Sequence, residues 1–259
     1  MLVTNDDGID ASGIQAMVDS IPQALQIVVV APDQQRSECG HSVTTRVPIH
    51  ANPVAFGDDR VNEAWAVSGT PADCVRFALR NAAMPRFDLV CSGINAGANV
   101  GTDIVLSGTV AAAREAALRG VPSLAISHYR HPNVPRTWGH CAAWMRPVFD
   151  AFFQQVIRGE ELESADGNFS ESSAAIDGSV GATPMWNVNF PAVDPDGPLP
   201  ALRYVPVDPT PSDLNCVRSD DGVLSFASDF HGRPRLPGHD ICECFSGSLT
   251  ISRLGCVPG

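Results

Sequence analysis

Apolar and polar positions follow two alternating rhythms along the first half of the chain, and each change of rhythm predicts an element. "LVTN" at the start reads as a short strand. From Ser12 onward, Ile14, Met17, Val18 and Ile21 recur at helical spacing, and the continuous apolar run "QIVVVAP" then reads as a buried strand closed by Pro32. The rhythm repeats. "AWAVSGTP" predicts a strand, "ADCVRFALRNA" a helix with Cys74, Phe77, Ala78 and Leu79 inward, and "RFDLVCSG" a strand. "TVAAAREAALRG" predicts a helix ended by Gly120, and "PSLAIS" a strand. Strands that alternate with helices predict an α/β fold with a mostly parallel sheet covered by helices on both faces.

Three stretches depart from that rhythm. Residues 48–63 predict a hairpin or a loop excursion. A helix follows over 139–156, rich in large apolar residues (Trp144, Met145, Val148, Phe149, Phe152, Phe153), and residues 158–183 are small, polar and acidic, the composition of a flexible surface insertion. "PMWNVNFP" resumes as a strand, and "LRYVPV", "VLSFA" and "SLTISRL" predict a β-rich C-terminal extension. The expected organisation is one domain: a core over 1–157, the insertion over 158–183, and the C-terminal strands over 184–259.

Charge and composition narrow the function classes. Seventeen Lys and Arg against 29 Asp and Glu give a net charge of −12, which argues against a nucleic-acid partner because backbone affinity needs clustered cations. A small phosphorylated substrate stays open, provided a local cation holds it. The chain starts without a basic and apolar leader, and no run of eighteen apolar residues occurs, so a cytoplasmic location with no membrane partner is expected. Eight cysteines in a chain of 259 residues are expected to be reduced, with Cys74 and Cys91 inside apolar segments and Cys39 the exposed one. Cys242 and Cys244 form C-x-C without a second pair, which disfavours structural zinc.

In open parallel sheets, ligands bind beyond the carboxyl ends of the strands. The residues just after each predicted strand are Asn5, Asp6, Asp7 and Gly8; Arg36 and Ser37; Ser68, Gly69, Thr70 and Pro71; and "SGINAGANVGTDIVLSGT". Asp6 and Asp7 side by side repel unless a cation lies between them, and Gly8 permits the turn that lets both converge. A bare turn signal is the competing reading of "DDG". With the Ser37 hydroxyl and the Asn95 carboxamide, the two carboxylates form an all-oxygen set suited to Mg²⁺ or Mn²⁺. Ser107, Gly108 and Thr109 stand at a helix start, where free N–H groups can hold a phosphate or where Ser107 or Thr109 simply caps the helix. Thr70 and Pro71 have the same double reading. His41 reads as a proton carrier or as a surface histidine. His128, His131, His140, His231 and His239 show no ligand spacing, and the absence of G-x-S-x-G disfavours a serine hydrolase.

"LVTNDDGIDASGIQAM", "VVVAPDQQRSECGHSVT", "VSGTPADCV", "DLVCSGINAGANVGTDIVLSGTVAAAREAALRGVPSLAIS" and "WNVNFP", in that order, resemble the SurE family of stationary-phase survival proteins. The resemblance implies a Rossmann-like α/β core with a C-terminal extension exchanged between subunits, hence a homodimer or homotetramer. It also implies metal-dependent phosphatase activity on nucleoside 5′- and 3′-monophosphates, with short polyphosphate as a further substrate class. One divalent ion per subunit would fall on Asp6, Asp7, Ser37 and Asn95, with Asp6 and Asp7 catalytic. The phosphate-contacting set would be Asn99, Ser107, Gly108 and Thr109. Three departures stand out: Gln34 where the family carries a basic residue, Glu38 where glycine is usual, and Leu106 in place of an aromatic ring before "SGT". Arg36 is left either to approach the phosphate or to form an ion pair. Two alternatives predict different products: a metal-dependent nucleoside hydrolase would release free base, and a non-catalytic nucleotide-binding module would release nothing.

Overall fold

The computed structural model describes residues 1–158, 183–212, 214–219 and 221–255. The chain runs β1 (Leu2–Thr4), α1 (Ser12–Ser20), β2 (Ile27–Pro32), β3 (Ala51–Pro53), β4 (Val61–Val67), α2 (Pro71–Arg80), β5 (Val90–Asn95), a 3₁₀ turn (Gly101–Val105), α3 (Gly108–Ala117), β6 (Ser123–His128) and α4 (Cys141–Arg158). It continues through β7 (Met185–Phe190), β8 (Leu202–Tyr204), β9 (Asn215–Arg218), β10 (Leu224–Ala227), α5 (Asp240–Phe245) and β11 (Leu249–Arg253). The acidic insertion predicted over 158–183 falls almost wholly outside the described residues.

Nine strands form one sheet in the order β3-β4-β2-β1-β5-β6-β7-β11-β8. The six strands from β4 to β7 are mutually parallel, β3 and β11 run antiparallel to their neighbours β4 and β7, and β8 is parallel to β11. The parallel part is an open doubly wound sheet: the chain builds outward from β1 through β2 to β4, then crosses back to β5 and builds the other way. The strand order therefore reverses beside β1, and a crevice opens there at the carboxyl edge.

Strands buried on both faces need a core on each. On one face α1 and α4 cover Val3, Val29, Cys91, Leu124 and Val188, with Met17, Phe149 and Phe152 packed down on them. On the other, α2 and α3 cover Leu2, Val28, Val30 and Val90 through Cys74, Val75, Ala78 and Ala112. The buried stripe of α2 is Cys74, Val75 and Ala78, with Phe77 and Leu79 only partly covered at its edges. Thr70 caps α2 through a capping box with Asp73, and Pro71 sits in its first turn. Residues 48–63 resolve into edge strand β3, paired antiparallel with β4, and the lead-in to β4. The periodicity did not predict α5, which is a short helix; its Asp240 accepts main-chain N–H bonds from Gly101, Asp208 and Ile241.

Candidate functional site

The carboxyl ends of β1, β2 and β5 and the start of α3 meet at the crevice. Beyond Thr4 the chain turns at Gly8, whose φ of +103° is open to glycine and strained for other residues. Asn5 braces the turn, donating from Nδ2 to the Gly8 carbonyl at 2.7 Å and accepting the Gly8 N–H. Asp6 is buried and Asp7 half-buried. The turn that "DDG" signals is therefore made at Gly8.

Asp6 lies against the first turn of α3. The Thr109 hydroxyl donates to Asp6 Oδ1 at 2.5 Å. A Cβ added at Gly108 would stand 2.9 Å from the Asp6 Cβ and 3.0 Å from its Oδ2, so a residue without a side chain lets the helix start come this close. Burial pushes the Asp6 carboxyl up to about 6, against the hydrogen bonds from Thr109; the charge of Asp7 raises it further. Asp7 is raised as well, mainly by burial, although the Ala96 N–H at 3.3 Å and Gln35 Nε2 at 3.4 Å oppose it.

Gln35 Nε2 also donates to Ser37 Oγ at 2.9 Å, so one carboxamide bridges that hydroxyl and Asp7. Asn95 ends β5 next to Ala96; its Nδ2 donates to the Gly97 carbonyl at 2.8 Å. Gln35 thus links Ser37 to Asp7, and Asn95 stands one residue before the Ala96 N–H that binds Asp7. Two carboxylates, a hydroxyl and a carboxamide are an all-oxygen donor set, whose chemistry fits a hard divalent cation.

The phosphate-contacting candidates divide. Ser107 Oγ accepts the Val110 N–H at 3.1 Å and is the N-cap of α3. The Gly108 N–H has no acceptor among the described residues. Asn99 is buried at the framework: its Nδ2 donates to Ser127 Oγ, its N–H to Asn189 Oδ1, and its carbonyl accepts from Asn187 and Asn189.

Other expectations resolve through their partners. Arg36 pairs with Asp33 at 3.3 Å and donates to the Ser68 carbonyl, the ion-pair alternative. His41 is bonded at 2.9 Å to the buried Glu115 of α3, which also takes Arg76 and Arg119; these donors outweigh burial and hold the Glu115 carboxyl low. His41 thus fastens the loop after β2 to α3. Glu38 has φ +57°, a backbone state that suits the glycine usual at this position in the resembling family. The described cysteines are free; Cys216 is the exposed one and Cys39 is half-buried.

Sequence reasoning passed over His128 and His140, which the fold brings together with Cys141 within 4.8 Å. Burial pushes His128 down to about 3, so it is neutral. Its Nδ1 faces the Tyr129 carbonyl at 2.9 Å and must carry the proton, which leaves Nε2 to accept from His140 Nε2 at 2.7 Å. His140 Nδ1 then accepts from the Thr137 hydroxyl at 3.2 Å. The lone pairs that a metal ion would need here are engaged in this imidazole chain. No spacing in the sequence announces it, because its two histidines belong to a strand end and a loop.

The family model described as Survival protein SurE matches residues 1–204. A Desulforudis audaxviator protein named 5′-nucleotidase SurE is 47% identical over 258 residues, covering 90% of this chain and 99% of the relative. A Synechocystis protein of the same name is 49% identical over 129 residues, 49% of this chain and 46% of its own length. The crystal structure of the SurE protein from Aquifex aeolicus superposes with a TM-score of 0.72 at 24% identity, covering 100% of this chain and 94% of the other.

Proposed function

Since the chain belongs to the SurE family, we propose that it is a metal-dependent phosphatase that hydrolyses nucleoside 5′- and 3′-monophosphates to nucleoside and phosphate, with short polyphosphate as a further substrate. The relatives named 5′-nucleotidase SurE support the activity. The observation that carries the reading is the contact between Asp6 and the start of α3, since an acid of the pair that would hold the cation stands beside a helix N-terminus suited to an anion.

Asp6, Asp7, Ser37 and Asn95 would hold one Mg²⁺ or Mn²⁺ ion per subunit. When bound, such an ion supplies Lewis-acid stabilisation of the transferring phosphoryl group and lowers the pKa of water. The protein's own groups do the rest. The free Gly108 N–H and the positive end of the α3 dipole take a phosphoryl oxygen, and the Ser107 cap fixes the first turn of the helix so that this amide is already aimed. Thr109 holds Asp6 in one rotamer through its hydroxyl. A carboxylate of the pair receives the proton of the attacking water. Asp7 is the more open of the two and has no hydroxyl donor, so it suits that role.

The described residues contain no helix long and apolar enough to cross a membrane. Leu214, Val217, Val223, Leu224 and Phe226 on and beside the β9–β10 ribbon are exposed, Phe226 by 65%. A two-stranded ribbon with apolar side chains in water is not stable alone, and a second copy of this chain is the partner we propose for it, in a homodimer or homotetramer.

The test is product analysis with Mn²⁺ and a panel of 5′- and 3′-nucleoside monophosphates. Equimolar nucleoside and inorganic phosphate are expected. Free base would favour a nucleoside hydrolase, and binding without turnover a non-catalytic module; either refutes the proposal.

A further inference from the structure

The loop 129–140, between β6 and α4, carries a cation that neither motif nor spacing marked out. We propose that Arg130 is the anion-binding residue of this site: its guanidinium, held over the Trp138 ring at the edge of the sheet that carries Asp7, takes the phosphate of the phosphorylated substrate. The inference rests on the reading given above and adds to it the group that recognises the substrate's charge.

Position comes first. β5 and β6 are neighbours, with Asn95 opposite Ser127 in register, and Arg130 follows three residues later. Trp138 returns against the same edge: a Cβ added at Gly13 would meet the Trp138 Cη2 at 3.1 Å and the Ile94 carbonyl at 2.0 Å, so the ring rests on the first turn of α1 next to the end of β5. The Arg130 guanidinium carbon lies 4.0 Å from the centroid of that ring. Asp7 accepts the N–H of Ala96, the residue after Asn95, so it sits at the same end of β5 that faces the start of the Arg130 loop.

Availability comes second. Arg130 donates from Nη1 to the Thr137 carbonyl at 3.2 Å, and no carboxylate lies within ion-pair distance of it among the described residues. Of five N–H donors, most remain for a ligand. Arg36, a second cation on this edge, is held through Nη2 by Asp33 and the Ser68 carbonyl, with its Nε buried and unpartnered among the described residues. The charges around Arg130 are Asp7, which attracts it, and Arg136, which repels it; neutral His128 and His140 lie close by.

Rigidity comes third. The chain from Thr137 through His140 and His128 to the Tyr129 carbonyl ties the two ends of the loop together, so Arg130 and Trp138 are placed before any ligand arrives. The charge count then closes. Two carboxylates neutralise one divalent ion, and a dianionic phosphate on a protein of net charge −12 needs a further cation, in a chain that has Gln34 where the family carries one. A planar guanidinium meets two phosphate oxygens at once.

The test compares wild type and Arg130→Gln in the Mn²⁺-loaded full-length protein, reading inorganic phosphate affinity, Mn²⁺ affinity and KM for AMP. Loss of a charge-assisted contact predicts phosphate binding and KM weakened roughly tenfold or more, with Mn²⁺ affinity unchanged or tighter because a positive neighbour of Asp7 is gone. Unchanged phosphate affinity overturns the inference. So does parallel loss of phosphate and Mn²⁺ affinity, the mark of a merely structural residue. Arg130→Lys keeps the charge without the fork, and serves if the glutamine variant does not fold: a loss of phosphate affinity of about threefold or more at unchanged Mn²⁺ affinity is expected, and no loss overturns the assignment. A wild-type protein that binds phosphate through Arg130 yet releases none from any nucleotide refutes the phosphatase reading and leaves this inference standing.

Discussion

Asp6 and Asp7 are adjacent in the chain and differ in surroundings. Asp6 is enclosed by α3 and carries the heavier burial, whereas Asp7 faces the crevice. In the metal-free protein Asp6 must ionise in a buried site. Its folded pKa, about 6, stands above the ordinary 3.8, so the stability linked to it is present below the unfolded value and is lost as pH rises through 6. Removing the charge should restore part of that: Asp6→Asn is expected to stabilise the chelated protein at pH 7.5 by about 2 kcal/mol in urea denaturation while abolishing Mn²⁺ binding. A destabilised variant would mean that the charge is already compensated. At this scale the acid pair was legible because two like charges stand next to each other before a glycine. Gln35 and Arg130 were not, since their relation to Asp7 exists only after β1, β2 and β6 are aligned.

The parallel elements were legible for the same reason throughout: continuous apolar runs for strands covered on both faces, three- and four-residue spacing for the helices on them. Short elements escaped, as α5 did, because six residues hold too little periodicity to separate from a loop. The phosphate and capping readings of Ser107 could not be separated in sequence, as both need a hydroxyl before a helix; in the fold the cap is made and the next amide is left open. The imidazole chain ties β6 to the start of α4. His128, with a folded pKa near 3 against 6.5 when unfolded, contributes stability present above 6.5 and lost as pH falls toward 3. Between pH 7 and 5 that loss is about 2 kcal/mol, and it opposes the gain from Asp6. His128→Gln should lose less stability than wild type over this interval by that amount, measured by urea denaturation at both pH values; identical pH dependence in the two proteins would contradict it.

For the whole molecule, the doubly wound sheet places three strand ends and a helix start around one crevice, and everything assigned to catalysis lies on that edge. The β-rich C-terminal extension splits in two: β8 and β11 complete the main sheet, while β9 and β10 stand apart with their apolar side chains in solvent. Alternation of residue type could announce strands there, but not which sheet each would join. If a second copy covers the ribbon, Phe226→Asp together with Leu224→Asp should lower the solution mass toward the monomer in light scattering without changing the far-UV signal. An unchanged oligomer, or a wild-type monomer, would remove the ribbon from the interface. The functional reading turns on whether the acid pair after β1 holds a cation that enables phosphate release. That is measured most directly by phosphate release from AMP in chelated protein titrated with Mn²⁺, for wild type and Asp7→Asn in parallel. The account predicts activity that appears with one equivalent of bound Mn²⁺ per subunit in wild type and stays absent in a folded Asp7→Asn; turnover in the chelated protein, or in the variant, would contradict it.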